Sequence, residues 1–217
     1  MYVPKPFVET RTDVLHAAIR GTGLATLVTL NGSGLVASHM PMILDDTVSE
    51  TAPLGRLFAH VARPNPQWRD PSAEVEALAI FMGPDADISP NWYPSKAETG
   101  RAVPTWNDTA VHAYGPLRII DDEDGLRDVI SRLTDRHEGG RPKPWRVEDA
   151  PEDDLRPLLR GIVGLEMRIT RLEGATKMSQ NKSATDHAGV VQGLRAEGTH
   201  NAEAVAAVME ATAPARV

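Results

Sequence analysis

The chain has 217 residues, is 41% hydrophobic and carries a formal net charge of −7. That length supplies one substantial core, and the acidic balance argues against broad phosphate-neutralising contact with nucleic acid. The absence of cysteine excludes disulfides, thiolate catalysis and Cys-ligated metal centres. No stretch approaches the roughly 20 apolar residues of a membrane span, and the N-terminus has no basic region followed by an apolar run. A cytoplasmic protein is the expectation.

The pattern "TRTDVLHAAIRGTG" predicts a helix, with Val14, Leu15, Ala18 and Ile19 at helical spacing and glycines to end it. "GLATLVTL" and "LVASHMPMIL" read as two strands of a hairpin joined by the turn "NGSG" at 31–34. Residues 45–55 form an acidic loop, and "RLFAHVAR" (56–63) is a third strand halted by "PNP". "EALAIFMG" (76–83) is a fourth, apolar enough to predict burial on both faces. Residues 84–105 are proline-rich and predict a long ordered loop or lid.

"VPTWNDTAVHAYG" (103–115) then reads as a strand running from a proline to a glycine and continuing into "PLRII". "DEDGLRDVISRLTDRHEGG" and "PEDDLRPLLRG" predict helices with acids in the first turn. "IVGLEMRITRLEG" (162–174) predicts a final strand, with Val163, Leu165, Met167, Ile169 and Leu172 apolar. Two Ala-rich helical segments follow from residue 183, and the last five residues are expected to be disordered. Six strands joined mainly by turns, without strand–helix alternation, predict an antiparallel β-barrel with peripheral helices. The expected organisation is one domain over residues 1–182, with 183–217 as its helical extension.

No G-x-G-x-x-G loop, Walker A loop or G-x-S-x-G elbow is present. His39, His60 and His112 all fall on predicted strands and could converge on a metal or a haem, although histidines bonded to backbone or ligand are commoner. "SPNWYPSK" (89–96) and "TWND" (105–108) set rings beside hydroxyl, amide and ammonium groups. That mixture suits a flat heteroaromatic ligand with a polar tail, or equally a cap over a barrel end. "KMSQN" (177–181) offers a cation, a hydroxyl and two amides, which reads as an anion cradle or as an exposed turn.

Taken as a set, "MYVPKPFVE", "SHMPMIL", "AHVARPNPQW", "ALAIFMGPDADISPNWYPSK", "VPTWNDTAVHAYG", "LTDRHE", "IVGLEMRITRLEGATKMSQN" and "GVVQGL" resemble the PaiB-type family of FMN-binding negative transcriptional regulators, nearly end to end. The resemblance implies an FMN-binding split β-barrel that works as a homodimer. It implies cofactor contacts from Ser38, His39, His60, Asn65, Trp92, Tyr93, Pro104, Thr105, Trp106, Asn107, His112, Lys177, Ser179, Gln180 and Asn181. The family pattern carries tyrosine where this chain has Asp87 and Asp108. Each change replaces a ring with a carboxylate, and a carboxylate facing a flavin phosphate would weaken FMN binding.

Two functions follow from the resemblance. One is regulation or flavin sensing. The acidic charge and the lack of a helix-turn-helix or basic recognition helix argue against direct contact with DNA. The other is an FMN-dependent oxidoreductase of unknown small substrate, an analogy at the level of fold. A haem- or metal-binding module using the strand histidines is the third expectation.

Overall fold

The computed structural model describes residues 1–212, so the expected disordered tail lies outside the described residues. A 3-10 turn at Lys5–Phe7 leads into β1 (Val8–Glu9) and α1 (Thr12–Gly21). β2 (Ala25–Asn31), β3 (Gly34–Met40), β4 (Ile43–Asp45) and β5 (Arg56–Ala62) follow. After the turn Pro66–Trp68 come β6 (Ala77–Ile88), the turn Pro90–Trp92 and the short α2 (Lys96–Thr99). β7 (Thr105–Gly115) and β8 (Leu117–Ile120) precede α3 (Glu123–Glu138) and α4 (Glu152–Arg160). β9 (Ile162–Arg168), β10 (Arg171–Lys177), α5 (Ala184–Glu197) and α6 (His200–Ala211) complete the described chain.

Local chemistry sets the helix starts. Asp122, Ser183 and Thr199 each accept a hydrogen bond from a backbone N–H of the first turn of α3, α5 and α6 respectively. Acids occupy the first turn of α3 and α4, where the helix dipole favours them.

The chain divides into two compact units. One contains residues 12–81 and 112–172. In it β4, β5, β9 and β8 stand side by side, all antiparallel, with Phe58 opposite Glu166 and Ile119 opposite Leu165. α3 covers this sheet through Val129 and Leu133, which are buried with Phe58 and Ile120. β2 pairs on one side with β3 and on the other with the first half of β6, with Thr26 opposite Ile80.

The other unit contains residues 1–11, 82–111 and the chain from Glu173 onward. Here β1 pairs with β10, Val8 opposite Ala175, and the order runs on to β7 and β6. Its core joins Ile88, Tyr93 and Met178 to Val190 and Leu194 of α5 and Val205 and Met209 of α6. The small residues of the terminal helices are thus buried against larger side chains from the strands and turns.

The structure corrects the expected strand count, because ten strands are found among the described residues where six were predicted. Three predicted runs are each cut in two, and β1 was not predicted. Pro41 ends β3, and Pro116 separates β7 from β8; proline has no N–H to continue a ladder. The third cut falls at Ile169 and Thr170, between β9 and β10. Gly115 has a further reason for its place, since a Cβ there would lie 1.8 Å from the carbonyl oxygen of Arg168. β6 also continues to Ile88, through residues expected to begin the loop. Its burial alternates, with Ala77, Ala79 and Phe81 buried and Met82 exposed, so it is not covered on both faces as predicted.

Candidate functional site

The turn after β10 carries the densest polar geometry. Ser179 adopts φ +57°, unusual for a residue with a side chain, and is buried. Its Oγ donates to Oδ1 of Asn107 at 3.2 Å and accepts from Nδ2 of Asn107 at 3.1 Å. Asn107 is fully buried on β7, and its amide also reaches the sulfur of Met209 at 3.4 Å. Gln180 holds the turn from within, accepting from the N–H of Met178 at 2.7 Å and donating to the carbonyl of Thr176. Lys177 donates from Nζ to Oγ1 of Thr105 at 2.9 Å.

Thr105, Asn107, Lys177, Ser179 and Asn181 line one cleft of about 490 Å3, together with Phe7, the segment 100–103 and Lys182. Thr105 and Asn107 share a face of β7 through the two-residue strand period. The charged side chains of the lining are Arg101, Lys177 and Lys182, and no carboxylate is among them. Three cations with the Thr105 hydroxyl and the Asn181 amide form a donor set suited to a phosphate and a polyol chain, and the mutually bonded Asn107 and Ser179 stand behind them. Sequence reasoning missed Arg101 and Lys182. Lys182 directly follows "KMSQN" and Arg101 lies within the proline-rich segment 84–105, which are the signals that could have found them.

The remaining expected residues stand elsewhere. Trp92 packs on α5, where a Cβ at Gly193 would meet its ring at 2.3–2.5 Å. Tyr93 is buried in the core beneath α5 and α6, and burial raises its phenol above the usual range. Pro104 and Trp106 are exposed. Lys182 lies 4.9 Å from the ring centre of Tyr93.

Ser38, His39, His60, Asn65 and His112 belong to the unit of residues 12–81 and 112–172. Ser38 accepts from Nδ2 of Asn65 at 2.9 Å, and Oδ1 of Asn65 accepts from the N–H of Gln67 at 2.9 Å. His39 Nδ1 lies 2.9 Å from Oγ1 of Thr26. His112 Nδ1 lies 3.4 Å from the hydroxyl of Tyr114. The Nδ1 of His60 is buried without a hydrogen-bond partner, and burial holds this imidazole below its usual value. Among the described residues no group of three or more His, Asp or Glu is placed to hold a metal ion, so these histidines do not gather into such a site.

Asp87 is exposed and Asp108 is partly buried. Neither lines the cleft. Burial raises the Asp108 carboxyl above its usual value, Lys177 lowers it, and Asp85 raises it further.

The fold is the antiparallel split β-barrel with accessory helices. A solved FAD and haem binding protein from Mycobacterium smegmatis shares it with a TM-score of 0.54 and 17% identity, over 78% of this chain and 73% of that one. The flavocytochrome Anf3 of Azotobacter vinelandii matches with a TM-score of 0.54 and 12% identity, over 81% and 72%. These likenesses fix the class of fold. The family follows from sequence: residues 1–171 match the family described as "Putative FMN-binding domain", and the chain belongs to that family. FMN is its cofactor. The protease synthase and sporulation protein PAI 2 of Bacillus subtilis is 31% identical over 97% of both chains. An uncharacterised protein of Aspergillus fumigatus is 35% identical over 92% of both.

Proposed function

We propose that the cleft at Lys177 holds the phosphate and polyol chain of FMN, and that the protein is a flavin-binding regulator. The observation that carries this reading is the convergence of Thr105, Asn107, Lys177, Ser179 and Asn181 on one cleft without a carboxylate. Lys177 and Lys182 supply charge to the phosphate, Asn181 supplies hydrogen bonds, and Ser179, tied to Asn107, fixes the turn that carries them. When bound, FMN supplies the light absorption and the redox chemistry. The regulatory part is supported by the relative whose name ties it to protease synthesis and sporulation. With a formal net charge of −7, gene control runs through a partner or a small molecule rather than through an operator.

The protein works in this reading as a homodimer in the cytoplasm. Met82 and Trp106 are large apolar side chains about half exposed on β6 and β7, and a second copy would cover such surface. No helix among the described residues is long and apolar enough to cross a membrane. Residues 1–182 form the flavin-binding domain, with the segment from 183 as its helical extension. The packing of α5 and α6 on Ile88, Tyr93 and Met178 supports that assignment.

Mass spectrometry of the small molecules released on denaturing the purified protein tests the proposal. FMN is the expected product. Absence of flavin, together with no change in flavin fluorescence when FMN is titrated in, contradicts it. Oxidation of reduced nicotinamide by the loaded protein would favour an oxidoreductase over a regulator, and scattering from a monomer alone would refute the dimer.

A further inference from the structure

The unit of residues 12–81 and 112–172 contains a cleft of its own, also of about 490 Å3, where α1 and α3 both end beside the start of β4. That volume falls within the range of about 300–1,000 Å3 typical of small-molecule sites. Met42, Ile43 and Leu44 contribute one wall, and Ile43 also packs against the core of Phe58, Ile120, Val129 and Leu133. The charged or titratable side chains in the lining are Arg20, Arg136 and His137, and no carboxylate is among them. Asp46, outside the lining, pairs with Arg20, so the excess positive charge of the cleft is that of Arg136.

The cations are not simply absorbed by the carbonyls at the negative end of α1. The carbonyl of Ala18 accepts from the Thr22 hydroxyl at 3.1 Å, and that of Ile19 from the Thr22 N–H at 3.2 Å. Arg136 uses one guanidinium nitrogen, Nη2, on the carbonyl of Arg20 at 2.6 Å. A guanidinium has five donors in a planar fork, so this bond fixes the group and leaves others to receive an anion. Arg20 is held in turn by an ion pair with Asp46.

Two glycines keep the cleft open. Gly21 and Gly23 both line it, neither has a left-handed φ, and a Cβ on either would meet nothing within 4 Å. Backbone conformation and packing therefore leave room for a side chain at both positions, and the sequence leaves that room empty.

We propose that this cleft binds a small amphipathic anion, with a phosphate or carboxylate head on Arg136 and Arg20 and an apolar body against Met42, Ile43 and Leu44. In a flavin-binding regulator such a site would admit an effector at residues that take no part in the flavin cleft.

Calorimetric titration of the full chain in the presence of FMN tests this, with phenyl phosphate and phenylacetate as probes for the two head groups. Inorganic phosphate and benzyl alcohol serve as the separate halves. At least one amphipathic probe should bind saturably and about tenfold more tightly than either half. Arg136→Gln should weaken it about tenfold, because a fixed fork is lost. Gly23→Val should weaken it similarly by filling the cleft, with the melting temperature unchanged. Lys177→Gln should leave it unaltered. No binding of either probe below about 5 mM overturns the proposal. So does binding that survives both Arg136→Gln and Gly23→Val, or binding abolished by Lys177→Gln, which would move the probe to the flavin cleft.

Discussion

Asn107 and Ser179 exchange two hydrogen bonds between β7 and the turn after β10, although 72 residues separate them. The pair is buried, so neither side chain can replace its partner with bulk water. It also holds Ser179 in its left-handed conformation at the edge of the candidate flavin cleft. Ser179→Ala should cost about 1–3 kcal/mol, the penalty for stranding a buried amide. Denaturant unfolding measures the loss, and FMN affinity should fall with it. Ser179→Gly relieves the backbone strain but not the stranded amide, and should fall between the two.

Gly193 lies against the indole of Trp92, and a Cβ would approach its ring atoms to 2.3–2.5 Å. Gly193→Ala should destabilise by about 1–3 kcal/mol through overpacking, despite the better helix propensity of alanine. Equilibrium unfolding compares it with Gly198→Asn, which lies past the end of α5 and has nothing within 4 Å of its Cβ. The latter change should cost less, because asparagine tolerates the left-handed φ of +67° there.

Much of the fold was legible in the sequence. Pro104 and Gly115 bracketed β7 because one cannot donate to a ladder and the other leaves no side chain against Arg168. The turn at 31–34 was readable from its glycines. Pro41 and Pro116 marked the cuts within 35–44 and 108–120, although both were read through, whereas the cut at Ile169 and Thr170 within 162–174 carried no such signal. An alternating apolar run reads the same whichever strand it pairs with, and the change of partner is decided by the rest of the chain. At the site, the stretches "TWND" and "KMSQN" were visible, but their meeting depends on pairing far along the chain. The rings of "NWYP" were read as ligand contacts or as a cap over a barrel end; Tyr93 is buried with α5 and α6 and the partly buried Trp92 packs against that core, and periodicity does not distinguish a ring in a core from a ring on a ligand.

Acid should destabilise the protein through His60 and His187. Burial lowers both imidazoles below the usual 6.5, and a ring nitrogen of each is buried without a partner. The unfolded chain therefore takes up protons that the folded chain resists. The stability from the neutral rings is full above about pH 6.5 and is lost as pH falls through the folded values. The drop in melting temperature between about pH 7.5 and pH 5.5 should shrink in His187→Leu and in His60→Phe. Equal drops in wild type and both variants would show that other groups govern acid sensitivity.

Asp108 should act in the opposite direction. Its carboxyl is raised chiefly by burial, so the folded state favours the protonated form. That stabilisation is full below 3.8 and is lost as pH rises through the folded value, leaving a buried charge at neutral pH. Asp108→Asn should stabilise the protein at neutral pH and not below about pH 3. It should also tighten FMN about two- to fivefold by removing a negative charge that Lys177 feels, with the gain shrinking at high salt. Asp87 is exposed, and Asp87→Tyr should alter FMN affinity by less than about twofold.

The central claim is that Lys177 receives the flavin phosphate, and the most direct test compares FMN with riboflavin, which lacks it. Both are titrated by flavin fluorescence into wild type and Lys177→Gln. Wild type should prefer FMN by at least about tenfold, and the variant should lose most of that preference while binding riboflavin unchanged. A preference that survives intact in the variant, or riboflavin affinity that falls as far as FMN affinity, would contradict the assignment.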